Sequence, residues 1–167
     1  MIYPDEGRAK EGMKKEKFDI TQKAIIVPVD VEVDFLKRRF KFLVDTGTQY
    51  TIIDEEAARA MWLVRGNCER EVTIRTVTGS GAAYEYKIDG IEALGITRRD
   101  FHIMEHPMPE DAGADGLLGL NFFDNTVLSI DFNTAEISVD FTKMCHQCRT
   151  VNPANAKFCM ECATQFN

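Results

Sequence analysis

The stretch KFLVDTGTQYTII, Lys41 to Ile53, sets Asp45, Thr46, Gly47 and Thr48 between two apolar runs. Phe42-Leu43-Val44 reads as a strand entering a core, and apolar residues resume at Ile52. An ionised carboxylate in that company costs several kcal/mol unless it is paired or hydrogen-bonded. Asp45 is therefore either the first residue of an ordinary turn or a carboxylate kept for chemistry. Gly47 permits a tight turn, because glycine accepts backbone angles that other residues resist. The neighbouring hydroxyls and turn amides are the partners that a half-buried carboxylate needs.

Outward from this turn the chain reads as short strands. AIIVPVDVEV (24–33) alternates Val27, Val29, Val31 and Val33 on one face, and Pro28 marks an edge or a bulge. RRFKFLV (38–44) is the return strand. DEEAARAMWL (54–63) has Asp54 at an N-cap position and acids in its first turn, which predicts a helix whose Met61 and Trp62 pack inward. REVTIRTV (70–77) alternates again and leads into a glycine-containing hairpin tip at 78–81, with further strands near 84–94 and 100–104. A polar, Pro/Gly-rich loop (105–116) precedes LLGLNFFDN, where a short helix begins near Asn121. TVLSIDF and AEISVDF then form a second hairpin across Asn133-Thr134. The expectation is a mainly β fold, a small closed barrel with one or two short helices.

The chain has 167 residues, 44% of them hydrophobic, which suits one domain with a small appendage. Residues 1–21 are expected as a flexible arm, 22–142 as the β domain and 143–167 as the appendage. No apolar run is long enough to span a membrane, and the charged start MIYPDEGRAKEGMKKEKFD has no secretory pattern. A net charge of −7 argues against nucleic-acid backbone binding. The expectation is a soluble cytoplasmic protein with no membrane partner.

Four of the five cysteines, Cys145, Cys148, Cys159 and Cys162, form two Cys-x-x-Cys pairs near the C-terminus, and Cys68 stands alone. Two pairs at this spacing favour one structural, tetrahedral Zn²⁺ per chain over a redox dithiol. Four thiolates leave no open position for catalysis. The segment is too small for its own core, so metal would supply much of its folding energy. The run NPANAKFC (152–159) resembles the linker of a zinc ribbon, although Arg149 and Ala163 stand where glycine commonly follows each pair. With few basic residues, the ribbon is expected to contact protein or support a dimer.

LVDTGT (43–48), TVTGSG (76–81) and LLG (117–119) follow one another in an order that resembles a retropepsin-type aspartic protease, the single-domain relative of pepsin, over about residues 22–142. The resemblance implies a closed β-barrel whose catalytic acid is Asp45. It implies that Thr46 links across a dimer axis and that Gly47 offers its amide to the carboxylates. Thr78, Gly79, Ser80 and Gly81 would form a flap over a polypeptide substrate, with Leu117, Leu118 and Gly119 as support behind the turn. Such chemistry needs two carboxylates sharing one proton and no catalytic cofactor. Asp89-Gly90 and Asp115-Gly116 lack the setting of Asp45, so the enzyme must be a homodimer that uses Asp45 twice. A Thr48 hydroxyl donated to that pair favours activity on the acid side of neutral. The alternative is a catalytically silent binding module of the same fold, with the ribbon doing the recognition. His102 and His106 read as surface histidines.

Overall fold

Strand β2 (Ile26–Val33) buries Val27, Val29 and Val31 and turns their neighbours outward, as the alternation requires. A two-residue turn at Asp34-Phe35 returns the chain as β3 (Leu36–Val44), with Val33 opposite Leu36 and Val27 opposite Phe42. The structure is a computed structural model that describes residues 15–22, 24–76, 79–109 and 111–166. Along this path follow β4 (Ile52–Ile53), α1 (Glu55–Ala60), β5 (Arg70–Thr76), β6 (Gly79–Ala93), β7 (Ile96–Glu105) and β8 (Gly116–Leu118). A 3-10 turn at Leu120–Phe123 leads to β9 (Thr126–Asp131), β10 (Glu136–Met144) and β11 (Val151–Pro153).

Six strands close a barrel in the order β2-β3-β8-β4-β7-β6, with β6 returning to β2 through Asp30–Glu32 against Gly90–Glu92. Strand β5 hangs outside the ring and, among the described residues, is joined to it through β6 alone. Phe42, Ile53, Met61, Ile103, Leu118 and Phe122 fill the interior. Pro28 lies beyond the β6 pairing, where β2 has a neighbour on one side only, so its missing N–H breaks no second ladder. Among the described residues no helix is long and apolar enough to cross a membrane.

Three expectations are corrected. The helix expected over 54–63 ends at Ala60, because Trp62 takes a left-handed backbone (φ 60°). That reversal buries Met61 and Leu63 but leaves Trp62 76% exposed, not packed inward. The arm expected over 1–21 does not remain free throughout. Residues 1–14 lie outside the described residues, but β1 (Lys15–Lys17) pairs with Glu136–Ser138 of β10. Phe18 then enters the core at 8% exposure, with its ring edge-on to Phe132. The third concerns the cysteine-rich segment expected to begin at 143. Strand β10 runs through that point without a break and pairs with β11, Thr142 opposite Pro153 and Met144 opposite Val151.

Phe18→Ala removes a buried ring and is expected to cost about 3 kcal/mol. The measurement is the urea midpoint, with the slope unchanged. An unmoved midpoint would place β1 outside the cooperative fold.

Candidate active site

Asp45 leaves the barrel at the end of β3. Its backbone N–H donates to the Leu118 carbonyl (3.1 Å), and its Oδ1 accepts the Gly47 N–H (2.8 Å). A Cβ at position 47 would lie 3.1 Å from that same Oδ1, so a larger residue would crowd the carboxylate it serves. Asp45 is half-buried, while Thr46 and Gly47 are exposed. The carboxylate sits at the rim of the barrel in the grip of an amide, which removes most of the desolvation cost that its neighbours in sequence suggest.

Behind the turn, β8 runs between β3 and β4, parallel to one and antiparallel to the other. The approach is possible only for glycine. A Cβ on Gly116 would meet the Ile52 carbonyl oxygen at 2.3 Å, and one on Gly119 would meet the Tyr50 carbonyl oxygen at 2.3 Å. Leu117 is half-buried and Leu118 fully buried. From the far side, Leu120 N donates to Thr48 O (2.9 Å) and Asn121 N to Gln49 O (3.1 Å).

Asn121 and Thr51 are the site residues that sequence reasoning missed. Asn121 Oδ1 accepts from both the backbone N–H (2.7 Å) and the hydroxyl (2.8 Å) of Thr51, and Asn121 Nδ2 donates to His102 O (3.0 Å). The Thr51 hydroxyl in turn accepts the Gly119 N–H (3.2 Å). The available signal was a lone hydroxyl at the head of the apolar run Thr51-Ile52-Ile53, which, once buried, has to find partners.

The expected donation from Thr48 to the carboxylate is not made within the chain. Its hydroxyl donates to the Tyr50 carbonyl (3.3 Å) and has no second proton to give. Of the residues expected in the flap, those described lie on the β5–β6 hairpin. Gly79, Ser80 and Gly81 belong to the start of β6, opposite Thr76, Arg75 and Ile74, and Thr78 lies outside the described residues. His106 is half-buried at the base of this arm, with Nδ1 3.1 Å from the Ala82 carbonyl and its ring against Gly81.

Residues 29–125, more than half of the chain, match the family model described as "gag-polyprotein putative aspartyl protease". The chain belongs to this family. A retropepsin-like aspartic protease from Rickettsia conorii shares its fold, with a TM-score of 0.55 at 16% identity over 78% of this chain and 99% of that one. Comparison with curated proteins finds no match. This retropepsin-like barrel thus carries its Asp-Thr-Gly turn at the mouth of a fold that the family uses for aspartic proteases.

Outside the barrel, the retropepsin-like chain gathers Cys145, Cys148, Cys159 and Cys162, whose sulfur atoms all lie within 4.8 Å of one another. Two of the separations are 3.6 Å (Cys145–Cys162) and 3.5 Å (Cys148–Cys159). A tetrahedral ion with metal–sulfur bonds near 2.3 Å requires about 3.8 Å, so the set fits a metal ion with little adjustment. The two halves repeat each other: Arg149 N donates to Cys145 O, and Ala163 N to Cys159 O. Arg149 (φ 64°) and Ala163 (φ 57°) adopt the left-handed backbone that glycine would favour there. Asn152, 1% exposed, braces both halves, accepting Met160 N–H and donating to Thr150 O and toward Cys159 Sγ. Backbone N–H donors, first from Cys162, lower the Cys159 thiol to about 6, which favours the thiolate a metal needs.

Asn121→Ala would leave the buried Thr51 N–H and hydroxyl without their acceptor, at a cost of about 2–3 kcal/mol. Thermal unfolding of the variant checks this. A change of less than about 0.5 kcal/mol would show that the brace is not needed to hold the turn.

Proposed function

We propose that the chain is an aspartic endopeptidase that acts as a homodimer, each copy contributing one Asp45. The observation that carries this reading is the setting of Asp45: a carboxylate at the barrel rim, held by the Gly47 amide and braced from behind by Gly116 to Gly119. Thr46 and Gly47 stand exposed beside it, where the turn of a second copy would meet them. A single carboxylate lacks the acid that the reaction needs.

In the dimer, the two Asp45 groups share one proton because both cannot ionise at contact distance. The ionised member takes a proton from a water, whose oxygen attacks the scissile carbonyl carbon. The protonated member gives its proton to the carbonyl oxygen. Collapse of the tetrahedral intermediate breaks the C–N bond, the amine leaves with a proton, and the carboxylates return to their shared state. No covalent enzyme intermediate and no catalytic metal take part. In this reading the β5–β6 arm, an antiparallel pair, folds over an extended polypeptide and excludes water. Because one Asp45 must hold a proton, activity is expected on the acid side of neutral. This no longer depends on a Thr48 donor.

Asp45→Asn is expected to lower cleavage of an unfolded protein substrate about 10³-fold or more between pH 3 and 7. Wild-type specific activity should fall on dilution through the dimer dissociation range. A folded wild-type dimer that cleaves nothing in that range would leave a binding module as the reading.

For the cysteine cluster we propose one structural Zn²⁺ per chain. The thiolate-favouring donors around Cys159 and the sulfur spacing support it. Met144, Val151, Phe158 and Met160 are exposed on the ribbon, which favours contact with protein over nucleic acid. The lowering of the Cys159 thiol weakens proton competition for this ligand, and zinc should be lost as pH falls into the acid range. Ala163→Gly relieves a left-handed alanine worth about 1 kcal/mol and should tighten zinc about fivefold in competition with a chelator. Weaker binding in that variant would mean that the knuckle geometry, and with it the zinc reading, is wrong.

A further inference from the structure

Three donor groups converge on the outside of the barrel at the foot of the β5–β6 arm. In the β6–β7 ladder Lys87 lies opposite His102, and Glu85, two residues earlier on the same face, is the diagonal neighbour of that histidine. Glu69 immediately precedes β5, and its N–H donates to the Glu85 carbonyl (2.8 Å), which brings its side chain to the same place. His102 Nδ1 lies 3.3 Å from Glu69 Oε2 and 3.4 Å from Glu85 Oε1. One donor atom from each residue falls within 4.8 Å of the others.

These separations discriminate between two arrangements. A charge-assisted N–H···O bond is expected at about 2.7–2.9 Å. Two ligands on a tetrahedral ion bound at about 2.0–2.1 Å by nitrogen and oxygen stand about 3.3–3.4 Å apart. The two His102 separations match the second arrangement and are longer than a direct charge-assisted bond. The Glu85 side chain is only 7% exposed and held by Arg70 through Oε2, which leaves Oε1 directed at His102. Glu69 and His102 are 45% and 46% exposed, so an ion can enter and water can complete its coordination.

We propose that Glu69, Glu85 and His102 bind a divalent first-row transition ion, with Zn²⁺ as the reference ion. One imidazole and two carboxylates suit this class, and neutral imidazole is the form that binds. The guanidinium of Arg70 beside Glu85 weakens the site relative to the four cysteines, so it fills second. Its consequence lies in the topology. Among the described residues strand β5 pairs with the barrel only through β6, and an ion here fastens the foot of β5 directly to β7. The His102 carbonyl also accepts Asn121 Nδ2, so the ion adjoins the brace behind the Asp45 turn. Occupancy would tie down the root of the arm proposed to close over substrate. The ion site itself stands whether or not Asp45 is catalytic.

The test is calorimetric titration of the full-length, reduced, metal-stripped chain with Zn²⁺ near neutral pH. Wild type is expected to take two equivalents per chain, a tighter and a weaker one. His102→Ala should abolish the weaker event, Glu69→Gln should weaken it tenfold or more, and His106→Ala should leave it unchanged. The second equivalent of Co²⁺ should show visible d–d absorption without the thiolate charge-transfer bands of the first. If the cysteines bind no metal, one equivalent remains, and its loss in His102→Ala still supports the site. Circular dichroism checks that His102→Ala, an exposed position, remains folded. The proposal is overturned if no event in wild type depends on His102, or if the weaker event survives in folded His102→Ala.

Discussion

At two points the backbone of this protein passes so close to itself that only a hydrogen atom fits between. Gly116 and Gly119 lie against the Ile52 and Tyr50 carbonyls, where any Cβ would stand 2.3 Å from oxygen. This contact lets β8 slide between β3 and β4, and the whole candidate site follows from it. With β8 in place, Leu118 offers its carbonyl to Asp45, and Leu120 and Asn121 offer their amides to the other side of the turn. Glycine costs conformational entropy in a strand. Here that cost is offset by hydrogen bonds that larger residues would push out of reach. The Leu-Leu-Gly sequence therefore acts on the Asp45 turn through its backbone, by the Leu118 carbonyl and the close approach of Gly119.

What could be read from the sequence was local. Alternating valines gave β2, the Asp-Thr-Gly and Leu-Leu-Gly segments marked the turn and its backing, and the paired cysteines marked the four-cysteine cluster. What could not be read depends on partners far along the chain. Thr51 and Asn121 find each other across 70 residues, and neither stands out by itself. Trp62 looks like a core residue until one knows that its φ is positive and its side chain points to water. The Thr48 hydroxyl gives its proton to the Tyr50 carbonyl, a local choice of acceptor that residue types alone do not reveal. His102 read as an ordinary surface histidine because Glu69 and Glu85 reach it through strand pairing, not sequence spacing.

Arg149 and Ala163 illustrate the opposite case, in which a departure in sequence changes less than it suggests. Both residues occupy left-handed backbone at the position of the usual glycine. The knuckle imposes its geometry on residues that resist it, which is what a strongly held ligand set would do. Strand β10 carries the same logic outward. Because it belongs to the β1-β10-β9 layer at one end and pairs with β11 at the other, the cysteine cluster is attached by a strand, not by a tether. Its ordering and that of the layer on the barrel are mechanically linked.

Strand β6 has 15 residues, about 50 Å of extended chain. Near its end, at Gly90–Glu92, it has neighbours on both edges, β7 and β2, while its first residues, Gly79–Ala83, pair among the described residues with β5 alone. One continuous strand thus spans two levels of protection. Amide hydrogens near Ile91 can exchange with solvent only when the barrel opens, whereas those near Gly81 are released whenever the outer arm lifts. Between them, around Glu85, lies the fulcrum, and a load applied at the tip is felt first at the seam between β6 and β7.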